Sequence, residues 1–364
     1  MIKIYKPELK RSSTGVRAQA IYEYNGSKNV LWYEVEEKYS DYLTIERADA
    51  FLVGLLFYAI KKGEDIEVHA PLSERLFYTI NKYLAELIAE VHGYKKIRVY
   101  CEELTSDLVR NEGAVGMGLS CGIDSFATLI DHLEDDCPKN YEVTHFTFFN
   151  VGSNGDVGGE GARALFAERA KNARAYSEEF GYKFITVDSN ISEILNSIYA
   201  STHTIRSMSA VLVLQKLFKC YYYASAYPIK DFKLRKNSMG SYDIFNLSML
   251  STESLSLFSS CANKTRVEKT KMVGNFRPAY KYLNVCVNDN NNCGRCPKCL
   301  RTLLTLELFG KLKEFESVFN LEAYEANRNM YINQVIAEHQ SNVYSREIFE
   351  EMKRQNFKFP SSSK

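Results

Sequence analysis

The sequence predicts an α/β fold: a parallel sheet covered by helices, with an α+β subdomain before it and a metal-bearing helical part after it. Three observations carry the prediction. From about residue 113, strand-like runs alternate with short loops and helical runs, the pattern of a parallel sheet with helical crossovers. Strand runs such as "CYYYASAY" are apolar over most of their length, which fits strands buried on both faces, a buried helix being the reading that periodicity leaves open. Of nine cysteines, Cys286, Cys293, Cys296 and Cys299 are bunched while Cys101, Cys121, Cys137, Cys220 and Cys261 are scattered. In a reducing compartment such bunching points to a metal rather than to disulfides.

Residues 1–110 mix strand-like pieces ("QAIYEYN", "VLWYEVE", "DIEVHAP", "KIRVYCEEL") with helical ones ("ADAFLVGLLFYAIKKG", "SERLFYTINKYLAELIAEVHG") and are expected to form the N-terminal α+β subdomain. Its first two strands read as a hairpin, because Asn25-Gly26 is a strong turn signal. Residues 111–312 are the expected central domain, in which "AVGMGL" precedes "SFATLIDHLED", "VTHFTFFNV" precedes "GARALFAERAKNARAYSEEFG", and "KFITVDSN" precedes "TIRSMSAVLVLQKLF". Within it, residues 231–292 carry few regular signals, and "NSMGSY" and "NDNNNC" read as loops. "CLRTLLTLELFGKL" is helical with Gly310 as its stop, helices continue to about residue 355, and "FPSSSK" reads as a frayed tail; residues 313–364 are therefore expected to be C-terminal helices and tail.

The 46 basic and 45 acidic residues leave a net charge of +1, without the global electrostatic footprint of a nucleic-acid binder. With 45% hydrophobic and 25% charged residues over 364 positions, the composition is that of an ordinary globular chain. The start, "MIKIYKPELKRSSTG", is polar, and the longest apolar run, "AFLVGLLFYAI", is too short to span a bilayer. The expectation is a cytoplasmic protein with no membrane partner.

"AVGMGL" runs into a loop whose small residues Ser120, Gly122 and Ser125 let backbone N–H groups approach an anion at the positive end of the next helix. The alternative is a plain helix cap by Asp124 or Ser125. The Gly-Lys-Ser/Thr ending of a Walker loop is absent. Cationic candidates lie in "NKTRVEKTK", with Lys264, Arg266, Lys269 and Lys271, and at Arg206, which shares a helix face with His203. A solvated basic face and a structural histidine are the alternatives.

"SCGIDS" resembles the phosphate loop of the PP-loop ATP pyrophosphatases, the adenine nucleotide alpha-hydrolase-like superfamily, which reads Ser-Gly-Gly-x-Asp-Ser. The likeness is carried by Ser120, Gly122, Asp124 and Ser125, with Cys121 where glycine is usual. The resemblance implies a doubly wound parallel sheet, the HUP-like ATP pyrophosphatase fold. It implies ATP and Mg2+ as cofactors, with Ser120, Cys121, Gly122, Asp124, Ser125 and Asn150 as nucleotide contacts. Asp124, Ser125, Lys269 and Arg206 are the implied catalytic residues, serving the pyrophosphate leaving group. The substrate pocket is expected near Asn150, Asp188 and the "SNGDVGGE" loop, whose glycines suit either a lid or an ordinary mobile connection.

"CVNDNNNCGRCPKCLRT" sets Cys286 before overlapping C-x-x-C pairs at Cys293, Cys296 and Cys299. Four thiolates fit a closed tetrahedral zinc site of structural rather than catalytic kind, an iron–sulfur cluster being the alternative. Together the two motifs are similar to the 7-cyano-7-deazaguanine synthase-like branch over residues 113–310. That similarity implies an ATP-dependent, ligase-like enzyme that adenylylates a carboxylate or amide of a small molecule and releases pyrophosphate for nitrogen transfer. RNA-base thiolation and a non-catalytic nucleotide-binding regulatory module are the other two readings. A small-molecule acceptor is the expected partner; a protein partner at the N-terminal subdomain and a homodimer are further options.

Overall fold

The computed structural model describes residues 1–287 and 291–359. Asn288, Asp289 and Asn290 of the expected loop, and most of the expected tail, lie outside the described residues. The strands are β1 (Ile2–Tyr5), β2 (Glu8–Arg11), β3 (Val16–Tyr24), β4 (Ser27–Val35), β5 (Ile66–His69), β6 (Leu72–Ser73), β7 (Val99–Cys101), β8 (Leu104–Thr105), β9 (Ala114–Gly118), β10 (His145–Asn150), β11 (Lys183–Ser189), β12 (Phe218–Ala224) and β13 (Ser256–Ser260). The helices are α1 (Asp49–Lys62), α2 (Glu74–Thr79), α3 (Ala85–His92), α4 (Ile123–Asp131), α5 (Glu160–Glu179), α6 (Ile191–Leu195), α7 (His203–Leu212), α8 (Asp243–Leu250), α9 (Arg266–Gly274), α10 (Ala279–Tyr282), α11 (Pro297–Leu308), α12 (Leu321–Glu338) and α13 (Val343–Arg354). Among the described residues no helix is long and apolar enough to cross a membrane.

The chain divides into two compact units. The first comprises Met1–Gly118, Pro138–Ser225 and Asp231–Ser260; the second comprises Leu119–Cys137, Ala226–Lys230 and the described part of Cys261–Lys364. The two units interleave along the sequence.

In the first unit, one large mixed sheet runs in the order β13-β12-β9-β10-β11-β4-β3-β1-β5-β7, with β2 paired to β3. From β13 to β11 every pairing is parallel. The order reverses at β9, which lies between β12 and β10, a reversal of the kind that marks ligand sites in open α/β sheets. The expected parallel sheet is present from β13 to β11 and is extended into a mixed one: β4 joins β11 antiparallel, and β3 pairs antiparallel with both β4 and β1. The N-terminal strands extend the central sheet, because a hairpin can add to its open edge through backbone hydrogen bonds alone. The hairpin turn is as expected, with Asn25 and Gly26 at φ +50° and +74°, the left-handed pair of a type I′ turn.

Helix α1 is buried from Asp49 to Phe57 and again at Ala59 and Ile60, so it is apolar nearly all round, and it packs against α7. Its Gly54 permits the close approach: a Cβ there would lie 2.5 Å from the Tyr33 hydroxyl on β4. Gly63, at φ +67°, ends the helix in a left-handed cap. Residues 231–292, poor in signals, hold α8, β13, α9 and α10.

In the second unit, α4 packs against α9, while α9, α11 and α13 contact one another and α12 packs on α11 and α13. Thr265 and Glu268 form a reciprocal capping box at the start of α9. Arg328 of α12 donates from Nε to both carboxylate oxygens of Glu307 on α11, at 3.0 and 2.8 Å.

Candidate functional site

In the second unit, residues 119–122 lead into α4, whose N-cap is Gly122. No side chain caps this helix end, so neither Asp124 nor Ser125 performs the simple capping role, and first-turn N–H groups are left for an anion or water. Ser125 Oγ instead donates to the Gly122 carbonyl at 3.0 Å, Ser120 Oγ accepts from Gly122 N at 3.3 Å, and the two hydroxyls lie 3.4 Å apart. Cys121 sits at φ +56°, a conformation that costs a non-glycine residue roughly 1–2 kcal/mol. Its side chain is fully buried and burial pushes its thiol pKa up, so it fills space and is not a reactive thiolate. The Asn284 amide donates to the Cys121 carbonyl at 2.8 Å and ties the loop down.

Asp124 emerges on the first turn of α4 and meets two cations from α9. Arg266 Nη2 lies 2.6 Å from Asp124 Oδ2, and Lys269 Nζ lies 3.6 Å from Oδ1. Residues 266 and 269 are three apart and share a helix face, and the Lys269 side chain is only 1% exposed. Burial opposes the charge of Arg266, but Asp124, with Tyr344 and Glu347, outweighs it and raises the arginine's pKa. The reading of "NKTRVEKTK" as a solvated face therefore fails at these two positions. Lys264 pairs with Asp131 at 3.2 Å, and Lys271 lies over the Phe309 ring at 5.4 Å.

Three residues of this cluster carried no sequence signal. Tyr344 on α13 lies under the Arg266 guanidinium at 5.4 Å and the Arg301 guanidinium at 4.0 Å. Tyr227 stacks on Tyr344 with centroids 5.6 Å apart, and Glu347 accepts from the Arg266 backbone N–H at 2.8 Å. Burial pushes the Tyr344 hydroxyl up to about 12, against the lowering pull of Arg266 and Arg301. A tyrosine in an unremarkable C-terminal helix reveals its role only when the helix is packed.

The remaining expected site residues belong to the first unit. Asn150 ends β10 and donates to Asp188 Oδ1 on β11 at 2.7 Å, the two being register partners. Arg163 Nε pairs with Asp188 Oδ2 at 3.2 Å, and its Nη2 with Glu193 at 2.7 Å. Burial raises the Asp188 pKa against the pull of Asn150 and Arg163.

Arg206 is fully buried within the first unit. Its Nε donates to Thr202 Oγ1 (2.7 Å), its Nη1 to the Asp156 carbonyl (2.9 Å) and Ser192 Oγ (3.2 Å), and its Nη2 to the Ser197 carbonyl (2.6 Å). The side chain clamps the glycine-rich loop to α6 and α7, and its donors are occupied. His203 meets the Tyr223 hydroxyl through Nδ1, and burial followed by the charge of Arg206 lowers its pKa to about 4. It is a neutral, packed histidine.

The four bunched cysteines come together in the second unit, their sulfurs all within 4.8 Å of one another. Cys286 and Cys296 sulfurs are 3.9 Å apart and those of Cys293 and Cys299 4.0 Å, close to the edge of roughly 3.8 Å expected for a tetrahedron of thiolates around zinc. Backbone N–H groups of Cys296 and Cys299 point at the sulfurs of Cys293 and Cys296, at 3.3 and 3.4 Å. Gly294 turns the chain at φ +69°, and Pro297 opens α11 directly after the N-cap Cys296. Asn292 pins the knuckle by donating to the Leu283 and Val318 carbonyls at 2.7 and 2.9 Å. The group can hold a metal ion such as zinc. No protein-family model, curated protein or solved structure matches the chain.

Proposed function

We propose that the second unit binds the phosphates of ATP, and that the protein adenylylates a carboxylate or amide of a small molecule, releasing pyrophosphate, so that nitrogen can be transferred to it. The observation that supports this reading is the convergence of Arg266 and Lys269 on Asp124 at the uncapped start of α4. Largely buried cations next to helical N–H groups left without a side-chain cap are the physical requirement for a polyanion. Attack on the α-phosphorus builds negative charge on the departing pyrophosphate, and Arg266 and Lys269, oriented by Asp124, would stabilise it. Ser120 and Ser125 would supply hydroxyl donors beside the Gly122 turn.

Both Asp124 oxygens already face cations, so Asp124 is not poised as a magnesium ligand; magnesium enters this reading as the counter-ion of the nucleotide. The four cysteines fit zinc, which in a closed thiolate site supplies fold stability and no open coordination position. Burial of Cys121 weighs against sulfur transfer through that thiol.

The test is pyrophosphate release from magnesium-ATP against a pool of small carboxylates with ammonia, for wild type, Asp124→Ala and Arg266→Ala. Acceptor-dependent release that falls on the order of a hundredfold in both variants is expected. ATP binding without release from any pool would replace the enzyme with a nucleotide-binding module.

A further inference from the structure

We propose that Arg301, on the helix that the cysteine knuckle anchors, is the third cation of the phosphate site and contacts the pyrophosphate end of the bound nucleotide. The inference rests on the phosphate reading above and adds to it a residue from a different element.

Charge balance is the first argument. Asp124 is shared by Arg266 and Lys269, and Glu347 accepts from a backbone N–H of Arg266. Among the described residues no carboxylate forms an ion pair with Arg301, Asp124 attracting it only from farther off, and its buried Nε, like that of Arg266, has no hydrogen-bond acceptor. Its guanidinium is held by the face of Tyr344 at 4.0 Å, the same ring that Arg266 overlies. Two guanidinium groups gathered on one aromatic ring repel each other, and a shared polyanion is what makes such a grouping favourable.

Helix geometry is the second argument. Arg301 could have served as counter-charge to the thiolates, since Cys299 is two residues earlier. At 100° per residue, two positions lie about 200° apart round the helix, so Arg301 leaves α11 on the side away from Cys299. The knuckle fixes the start of α11 through Cys296 and Cys299, and this sets where Arg301 emerges. Arg301 is in this view a binding residue whose placement the metal site determines.

The experiment is calorimetric titration of the full-length, metal-loaded chain with inorganic pyrophosphate, for wild type, Arg301→Lys, Arg301→Gln, Arg266→Ala and the exposed-site control Lys313→Ala. Metal content and melting temperature are measured on each sample. We expect Arg301→Gln to weaken pyrophosphate binding by on the order of tenfold to a hundredfold. Arg301→Lys should recover part of this, because it keeps the charge but loses the planar stack, and metal content should stay unchanged. Wild-type affinity in both Arg301 variants, with loss in Arg266→Ala, would overturn the role of Arg301 alone. Absence of binding in the wild type would overturn the phosphate reading, and this inference with it. Loss of metal together with affinity in both Arg301 variants would make Arg301 a structural residue and also overturn the inference.

Discussion

Arg206 and Arg266 are both arginines on polar helical segments, and only their surroundings distinguish them. Arg206 is surrounded by carbonyl and hydroxyl acceptors, whereas Arg266 faces a single carboxylate and an aromatic ring. Carbonyl acceptors use up a guanidinium's donors without adding charge, so Arg206 holds a loop, while Arg266 keeps both charge and a free Nε. His203 yields a prediction at this scale. Its folded pKa of about 4 lies below the ordinary 6.5 because of burial. Between those two values the unfolded chain binds the proton that the folded chain excludes, so stability falls as pH drops through the window and is fully present above it. Urea midpoints from pH 7 to pH 4.5 should show a loss of about 1–3 kcal/mol assignable to this residue. His203→Gln should flatten the decline, leaving the share of His145, which burial also lowers to about 4.

The knuckle from Cys286 to Cys299 works as an element because one glycine permits it. A Cβ on Gly294 would lie 2.1 Å from the Asn320 carbonyl oxygen, at a φ that already disfavours a side chain. Gly294→Ala should therefore reduce bound metal well below one ion per chain and lower the melting temperature. Gly310→Ala, also at positive φ but with open space around the position, should cost only about 1 kcal/mol and retain the metal. Metal stoichiometry and melting curves on the two variants check this. Much of this element is legible from sequence, since C-x-x-C spacing and Pro297 state the ligands and the helix start. The role of Asn292, which bridges the Leu283 and Val318 segments, is not, because an asparagine in "NDNNNC" looks like any loop residue.

At the scale of the molecule, the metal is expected to stabilise one unit and not the other. The cysteine cluster belongs entirely to the second unit, and the large sheet entirely to the first. Chelation followed by limited proteolysis should open cleavage within residues 283–359 first while the sheet of the first unit persists; simultaneous loss of both would contradict the assignment. Thiolate ligands that must be held together by an ion contribute their binding free energy to the folding of the unit that contains them.

The sequence by itself determined the local elements: the Asn-Gly hairpin, the strand–helix alternation after residue 113, the stop at Gly310 and the identity of the four clustered cysteines. Turn chemistry, hydrophobic period and ligand spacing are short-range properties, and all are written within a dozen or so residues. Only the tertiary structure decided that residues 1–110 supply strands to the central sheet, that Arg206 is a clamp, and that Tyr344 and Arg301 stand with Arg266. Strand addition at a sheet edge uses backbone groups common to every residue. Whether a guanidinium is saturated or free likewise depends on groups brought to it from far along the chain, as Asp124 is brought to Arg266 across 142 residues.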